Sequence, residues 1–174
     1  LVLQTKPGMN TAYLAMNNDH PPFNDVRVRK AIAHAIDKEA IARSAYENEG
    51  TIATTLVPKA MWGHHEGITN LPFDPAKSRE LLKEANVPPG TKIKFFAMRN
   101  SRPYLPSPEQ VTAIVTQALR DIGLEPVVMS PDWSQYLEQV SRGEHDLCLF
   151  GWQTDNADPD NFLYALLDKD HAVL

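Results

Sequence analysis

From residue 74 onward, segments with helical spacing alternate with short apolar strands, and this alternation constrains the fold more than any other feature of the chain. The strongest helical segment follows a capping-box pattern at Ser107, and its apolar side chains recur at positions 111, 114, 115, 118 and 119. Strands are predicted over 91–98, 124–129 and 145–152. This alternation predicts an α/β fold, a layered domain whose mixed, largely parallel sheet is flanked by helices.

Aspartates mark most of the other predicted helix starts, because an Asp side chain accepts hydrogen bonds from the free N–H groups of a first helical turn. These aspartates are Asp37, Asp74 and Asp132, and the first helix is predicted to begin near Asn24 or Asp25. The helix that follows Asp37 is expected to end at Gly50, since glycine readily adopts the left-handed conformation of a helix end. An additional strand is predicted over 11–17.

Composition limits the classes of protein to which this chain can belong. Its 174 residues, 43% of them hydrophobic, predict one core and a single unit over residues 1–174. The net charge is −5 and the basic residues are scattered, so the chain lacks the basic patch of a nucleic-acid-binding protein. No apolar run approaches the roughly 20 residues that cross a bilayer. Residues 1–8 have no initiator Met and suggest the middle of a strand or linker in a processed or excised segment.

The segment Gly151-Trp-Gln-Thr-Asp-Asn-Ala-Asp-Pro-Asp-Asn-Phe162 carries three carboxylates between a predicted strand and a predicted helix. Asp158 has an ordinary role as a helix cap before Pro159, and Asp160 suits the positive end of the helix dipole. Asp155 precedes the cap and has no such structural role. It follows Trp152, an aromatic residue of the kind that forms pocket walls. The segment therefore predicts a turn at a strand end with one carboxylate available to a cationic group.

A second loop, over 99–106, also leaves a predicted strand and enters a predicted helix. If the two strands are parallel, both loops open at the same edge of the sheet, where open α/β domains bind ligands. The planar guanidinium of Arg102 suits a carboxylate, and Asp155 suits an ammonium group. Together they predict a site for a zwitterion such as an amino acid or a short peptide. The alternative is that both are ordinary solvated surface charges.

Three other groups suggest different chemistry. Residues 51–73 show no regular period and predict a long surface loop, in which Trp62 either covers a pocket or, more in keeping with a large aromatic, anchors the loop on the core. The adjacent His64 and His65 have no third ligand at metal-binding spacing. A hydrolase could use Cys148 with His145, or a carboxylate pair among Asp155, Asp158 and Asp160. Strand alternation places Cys148 and His145 on opposite faces and predicts a buried, inert thiol, and the sequence supplies no oxyanion-donor motif. The residues therefore predict neither a metal site nor an enzyme.

Several motifs resemble the C-terminal lobe of extracellular solute-binding proteins of the peptide/nickel family, and above all its dipeptide-binding branch. The likeness spans nearly all of the chain. The segments that carry it are 10–18, 22–32, 37–38, 61–63, Arg102-Pro-Tyr104 and 151–162. The resemblance implies one lobe of a two-lobed clamp that closes over its ligand. One departure is that Leu-Tyr-Ala-Leu-Leu-Asp-Lys follows Phe162, where the dipeptide-binding branch usually continues to a cysteine.

The resemblance also implies roles for individual residues. Asp155 would hold the α-amino group of the ligand and Arg102 its α-carboxylate, with Trp152, Tyr104 and Trp62 as further ligand-binding residues. It implies no catalytic residue, metal or cofactor.

The function implied by this resemblance is that of a substrate-binding component of an ABC importer. Such a protein captures dipeptides or short peptides and delivers them to a permease in the inner membrane, and it resides in the periplasm or is lipid-anchored outside a Gram-positive cell. The N-terminal lobe of the clamp would be missing from this chain. Relatives also bind haem, glutathione or nickel chelates, so these remain alternative ligands.

Overall fold

The computed structural model describes residues 6–168 and contains a four-stranded mixed sheet. Its strands are β1 (Asn10–Met16), β2 (Lys92–Phe96), β3 (Glu125–Met129) and β4 (Leu147–Gln153), in the spatial order β1-β4-β2-β3. β2 is parallel to both β3 and β4, whereas β1 is antiparallel to β4. The predicted α/β class with a mixed, largely parallel sheet is confirmed. The strand or linker predicted at the start of the chain lies partly outside the described residues.

Six helices accompany the sheet in the described part of the chain. They are α1 (Val26–Ala35), α2 (Lys38–Ala45), α3 (Pro75–Glu84), α4 (Pro108–Asp121), α5 (Trp133–Ser141) and α6 (Asp160–Leu167). None of the six has the length and apolar character needed to cross a membrane. Both the order of elements and their approximate bounds follow the sequence prediction.

The predicted aspartate caps are confirmed. The side chains of Asp25, Asp37, Asp74 and Asp132 each accept a hydrogen bond from a backbone N–H in the first turn of their helix.

Two helix ends differ from the prediction. The Ser107 side chain makes no cap hydrogen bond, so the capping box predicted there is wrong, although Pro108 begins α4 at the first helical position that suits a proline. α2 ends at Ala45 rather than at Gly50, and the chain turns through left-handed conformations at Glu47 and Asn48.

Strand β4 lies in the middle of the sheet, and this position explains its burial. All five residues from Leu147 to Gly151 are buried, since β1 and β2 pair with its two edges and other elements cover its faces. β3, at the edge of the sheet, leaves Val127, Val128 and Met129 partly exposed. The main core is continuous across the sheet and includes Phe95, Phe96 and Leu147.

The segment between α2 and α3 contains no helix or strand, as predicted for residues 51–73. Val57 and Met61 anchor it by packing on Phe162 of α6, with Trp152 partly buried against the same cluster. Trp62 is 69% exposed, so the prediction that Trp62 anchors the loop on the core is wrong. The smaller side chains of Val57 and Met61, which precede Trp62 in the chain, face inward instead.

Candidate functional site

Three loops meet at one edge of the sheet, because β2, β3 and β4 are parallel and their carboxyl ends point the same way. The loop that follows β2 carries Arg102 and Tyr104, and the turn that follows β4 carries Asp155. The sequence predicted that these two loops would open on the same edge, and the parallel pairing confirms it. The third loop, after β3, leads directly into Trp133 at the start of α5.

The loop after β2 occupies a gap beside β4. Pairing between β2 and β4 ends at Phe96 and Cys148, whereas β4 continues to Gln153 against β1. Beyond that point the Tyr104 ring packs so closely on Gly151 that an added Cβ would lie 2.2 Å from the ring. The Tyr104 carbonyl also accepts a hydrogen bond of 2.7 Å from the Tyr46 hydroxyl. These contacts fix the loop against the sheet.

Arg102 is positioned by its backbone and by one aromatic ring. Its N–H and C=O both pair with Leu105 at 2.9 Å, which closes a tight turn. The guanidinium carbon lies 3.8 Å from the centroid of the Trp133 ring. Over residues 6–168 the guanidinium forms no side-chain hydrogen bond and no ion pair, and its Nε is buried without a partner. Among the described residues, this cation beside the edge of the sheet therefore has no counter-ion.

Two aromatic rings, those of Tyr136 and Phe150, pack against Trp133. Its ring stacks on Tyr136 with centroids 5.5 Å apart and lies 6.0 Å from Phe150 of β4. The buried Tyr136 hydroxyl donates to the Leu149 carbonyl and lies 3.2 Å from the Phe96 carbonyl, in the gap where β2 and β4 separate. Burial raises the pKa of Tyr136 far above its ordinary value, so the hydroxyl keeps its proton for these carbonyls.

The turn after β4 satisfies its own backbone with three side chains. The Thr154 hydroxyl accepts from the N–H groups of Asn156 and Ala157, and the Asn156 side chain accepts from the N–H of Asp158. Asp158 accepts from the N–H of Asp160 at 3.0 Å, a bond of the predicted capping kind, although α6 begins at Asp160 and its cap position is Pro159. Asp155 takes part in none of these bonds. Within the described residues its exposed carboxylate is free for another group.

The other predicted site residues lie near this turn but differ in exposure. The Trp152 indole N–H donates to the Asn161 side chain at 2.8 Å, and its ring packs beside Phe162. Trp62 is largely exposed, and the adjacent Gly63 approaches the Pro159 ring closely enough that an added Cβ would lie 3.0 Å from it. Trp62 therefore belongs to a segment that contacts the turn after β4. Its role with a ligand stays a prediction.

Sequence reasoning missed Trp133 as a candidate site residue. It was assigned only to a helix start, although it follows the third parallel strand in the same way that Arg102 and Asp155 follow the other two. Applying the rule for parallel strand ends to every strand would have found it.

Comparison with known proteins identifies the family. Residues 1–173 match the model of the bacterial extracellular solute-binding proteins, family 5. The chain belongs to this family. It is 40% identical over 170 residues to a dipeptide-binding protein of Pseudomonas aeruginosa and 35% identical over 165 residues to haem-binding protein A of Haemophilus influenzae. These alignments cover 98% and 95% of the chain but only 32% and 30% of the relatives, so the chain spans about a third of their length.

A solved structure shows the same fold. The dipeptide-binding protein from Pseudoalteromonas sp. SM9913, in complex with Met-Leu, superposes with a TM-score of 0.87 at 33% identity. The match covers 92% of this family 5 chain and 32% of that protein.

The alternative chemistry has little structural support. Cys148 is fully buried, and burial raises the pKa of its thiol to about 12, so a reactive thiolate is disfavoured. The Nδ1 of His64 lies 2.9 Å from the Val57 carbonyl, and the Nδ1 of His65 accepts a hydrogen bond from the N–H of Gly67. Family 5 comprises solute-binding proteins rather than enzymes.

Acid is expected to destabilise the fold through His145, a buried residue whose two ring nitrogens have no partner among residues 6–168. Burial lowers its pKa, and nearby His20 lowers it further while Asp146 opposes the shift. Below the ordinary histidine pKa of about 6.5, the unfolded chain binds a proton at this position more readily than the folded chain does. The free energy of unfolding therefore decreases as the pH is lowered. Melting temperatures at pH 7.5 and 5.5 should show a smaller loss in His145→Leu than in the unsubstituted protein. The exposed control, His65→Leu, should keep the full loss; an unchanged pH dependence in His145→Leu would contradict the assignment.

Proposed function

We propose that the complete protein containing this chain is the substrate-binding component of an ABC importer that captures dipeptides or short peptides. This chain would supply the lobe that carries both charged contacts, and a second lobe would close over the ligand. The ligand would then pass to a membrane permease. The protein would act in the periplasm, or outside the cell on a lipid anchor in a Gram-positive source.

One observation carries the proposal. The Arg102 guanidinium and the Asp155 carboxylate follow neighbouring parallel strands at one edge of the sheet, and within the described residues neither has an ionic partner. A dipeptide carries a carboxylate and an ammonium group that complement these two charges. The named dipeptide-binding relatives and the structure with bound Met-Leu support the same ligand class.

Titration calorimetry on the complete protein tests the proposal with three compounds: Met-Leu, its C-terminal amide and its N-acetyl derivative. Free Met-Leu should bind most tightly. Each blocked compound should lose one charged contact and bind more weakly than Met-Leu by a factor of about 30 or more. The 174-residue chain alone should bind weakly, because such sites gain their affinity by enclosing the ligand. Equal affinity for all three compounds, or micromolar saturation of the lobe alone, would reject the clamp.

Haem is the second candidate, because haem-binding protein A of Haemophilus influenzae is 35% identical over 165 residues. Haem carries carboxylates but no ammonium group, so it would use Arg102 and leave Asp155 without a partner. Titration with haem under the same conditions separates the two. Tight haem binding that is indifferent to Asp155→Asn, together with no dipeptide binding, would favour haem.

A further inference from the structure

The way in which Arg102 is held differs from that of other arginines in the described chain. Arg27 is bound by the carboxylate of Asp25, Arg142 by that of Glu138, and Arg99 donates its Nε–H to the Ser130 carbonyl. Each of these contacts consumes guanidinium N–H groups. Arg102 is held instead by stacking on the Trp133 ring, and that contact uses the face of the guanidinium.

Trp133 is itself firmly oriented. It begins α5, whose first turn is capped by the Asp132 side chain through the N–H of Gln135. Its ring is stacked nearly parallel to that of Tyr136, at an interplanar angle of 14° and a centroid distance of 5.5 Å. Tyr136 is 1% exposed and is bonded to backbone carbonyls of the sheet. The stack Arg102–Trp133–Tyr136 therefore links a surface cation to the core.

We infer that Trp133 is a positioning residue for recognition of the ligand carboxylate. Its indole supports the guanidinium from one face, and although the Nε is buried, the terminal Nη N–H groups in the guanidinium plane are left to donate to a carboxylate. The neighbouring small cavity reinforces this assignment, because its lining residues Met98, Arg99, Asn100, Arg102, Pro131, Trp133 and Tyr136 include no carboxylate. This inference rests on the proposed function, since it assigns a role to Trp133 in the same site.

The test compares Trp133→Leu, which removes the aromatic face, with Trp133→Phe, which keeps one. Dissociation constants for Met-Leu and for its C-terminal amide are measured by calorimetry on the complete protein. Trp133→Leu should weaken Met-Leu binding by ~2- to ~30-fold, the range expected for loss of a cation–π contact. It should leave amide binding unchanged, and Trp133→Phe should restore most of the affinity for Met-Leu.

A double-variant cycle separates positioning from general packing. In an Arg102→Ala background, Trp133→Leu should cause no further loss of Met-Leu affinity, because the group that Trp133 positions is already absent. Equal losses for Met-Leu and its amide, or a full additional loss in the Arg102→Ala background, would overturn the inference. Trp133→Phe keeps the test decisive if Trp133→Leu does not fold.

A measurement without ligand separates this inference from the proposed function. With selectively labelled arginine, the Arg102 Nε–H resonance should carry a ring-current shift that Trp133→Leu abolishes and Trp133→Phe partly retains. If the unsubstituted protein bound none of the dipeptides, the proposed function would fail while this resonance still reported the stack. An unchanged resonance in Trp133→Leu would overturn the positioning role by itself.

Discussion

Arg102→Ala is expected to weaken binding of Met-Leu to the complete protein by ~30- to ~5,000-fold, the largest effect on binding of any single substitution at the site. This range corresponds to about 2–5 kcal/mol, the cost of truncating one partner of a desolvated, hydrogen-bonded charge pair. Binding of the C-terminal amide should change little, because the amide offers no carboxylate to the guanidinium. Calorimetry measures both constants, and thermal unfolding checks that the variant remains folded.

Arg99→Ala is the matched control, since Arg99 is a neighbouring arginine whose Nε–H already donates to the Ser130 carbonyl. If the site used only the general positive field of the loop, Arg99→Ala and Arg102→Ala would have similar effects. If Arg102 makes a direct contact, only its loss should be severe. Equal and small losses for the two variants would contradict the role assigned to Arg102.

The contact to the ligand's ammonium group is tested by Asp155→Asn, with Asp160→Asn as the control. Both carboxylates are exposed and lie on the same short segment, but Asp160 stands in the first turn of α6. Asp155→Asn should weaken Met-Leu binding and leave the N-acetyl compound unaffected, and Asp160→Asn should change neither. The specificity of each variant for one end of the ligand tests the two contacts separately.

Phe162→Ala is expected to destabilise the protein by about 3–5 kcal/mol, the usual cost of removing a fully buried phenylalanine. Phe162 is fully buried and joins α6 to Val57 and Met61 of the long loop, with Trp152 against the same cluster. Its loss leaves a cavity at the hydrophobic cluster that holds this loop against α6. Denaturant unfolding of the complete protein measures the change in the free energy of unfolding.

Phe73→Ala is the control for this prediction, because Phe73 is 54% exposed and its truncation leaves no closed cavity. A surface change of this kind is expected to alter stability by about 0.5 kcal/mol or less. Similar effects for the two variants would mean that the loop is not held through Phe162.

Neither the Arg102 guanidinium nor the Asp155 carboxylate takes part in the hydrogen bonds that close its own loop. In the turn after β4, the side chains of Thr154, Asn156 and Asp158 bond to the backbone, and the Asp155 carboxylate takes no part in these bonds. The loop after β2 closes through backbone hydrogen bonds between Arg102 and Leu105, which do not involve the Arg102 guanidinium. Each loop is therefore stable without neutralising the group that it presents.

The sequence by itself determined the features that depend on residues a few positions apart. Helix starts followed from aspartate side chains that bond to the next few N–H groups, and the turn at Asp158 followed from the same local chemistry. The spare carboxylate of Asp155 could also be found in this way, since its neighbours had local roles and it had none. Parallel pairing was an expectation from the alternation of elements rather than from any single residue.

Only the tertiary structure decided which distant residues meet. The end of β2–β4 pairing opens the gap that Tyr104 and Tyr136 occupy, and nothing near either tyrosine in sequence predicts that gap. The stacking of Arg102 on Trp133 joins loops that follow different strands. Trp62 is exposed, whereas Val57 and Met61 occupy the space against Phe162. Local patterns fix backbone conformation through short-range hydrogen bonds, whereas these contacts depend on strand order and on competition for space in a packed core.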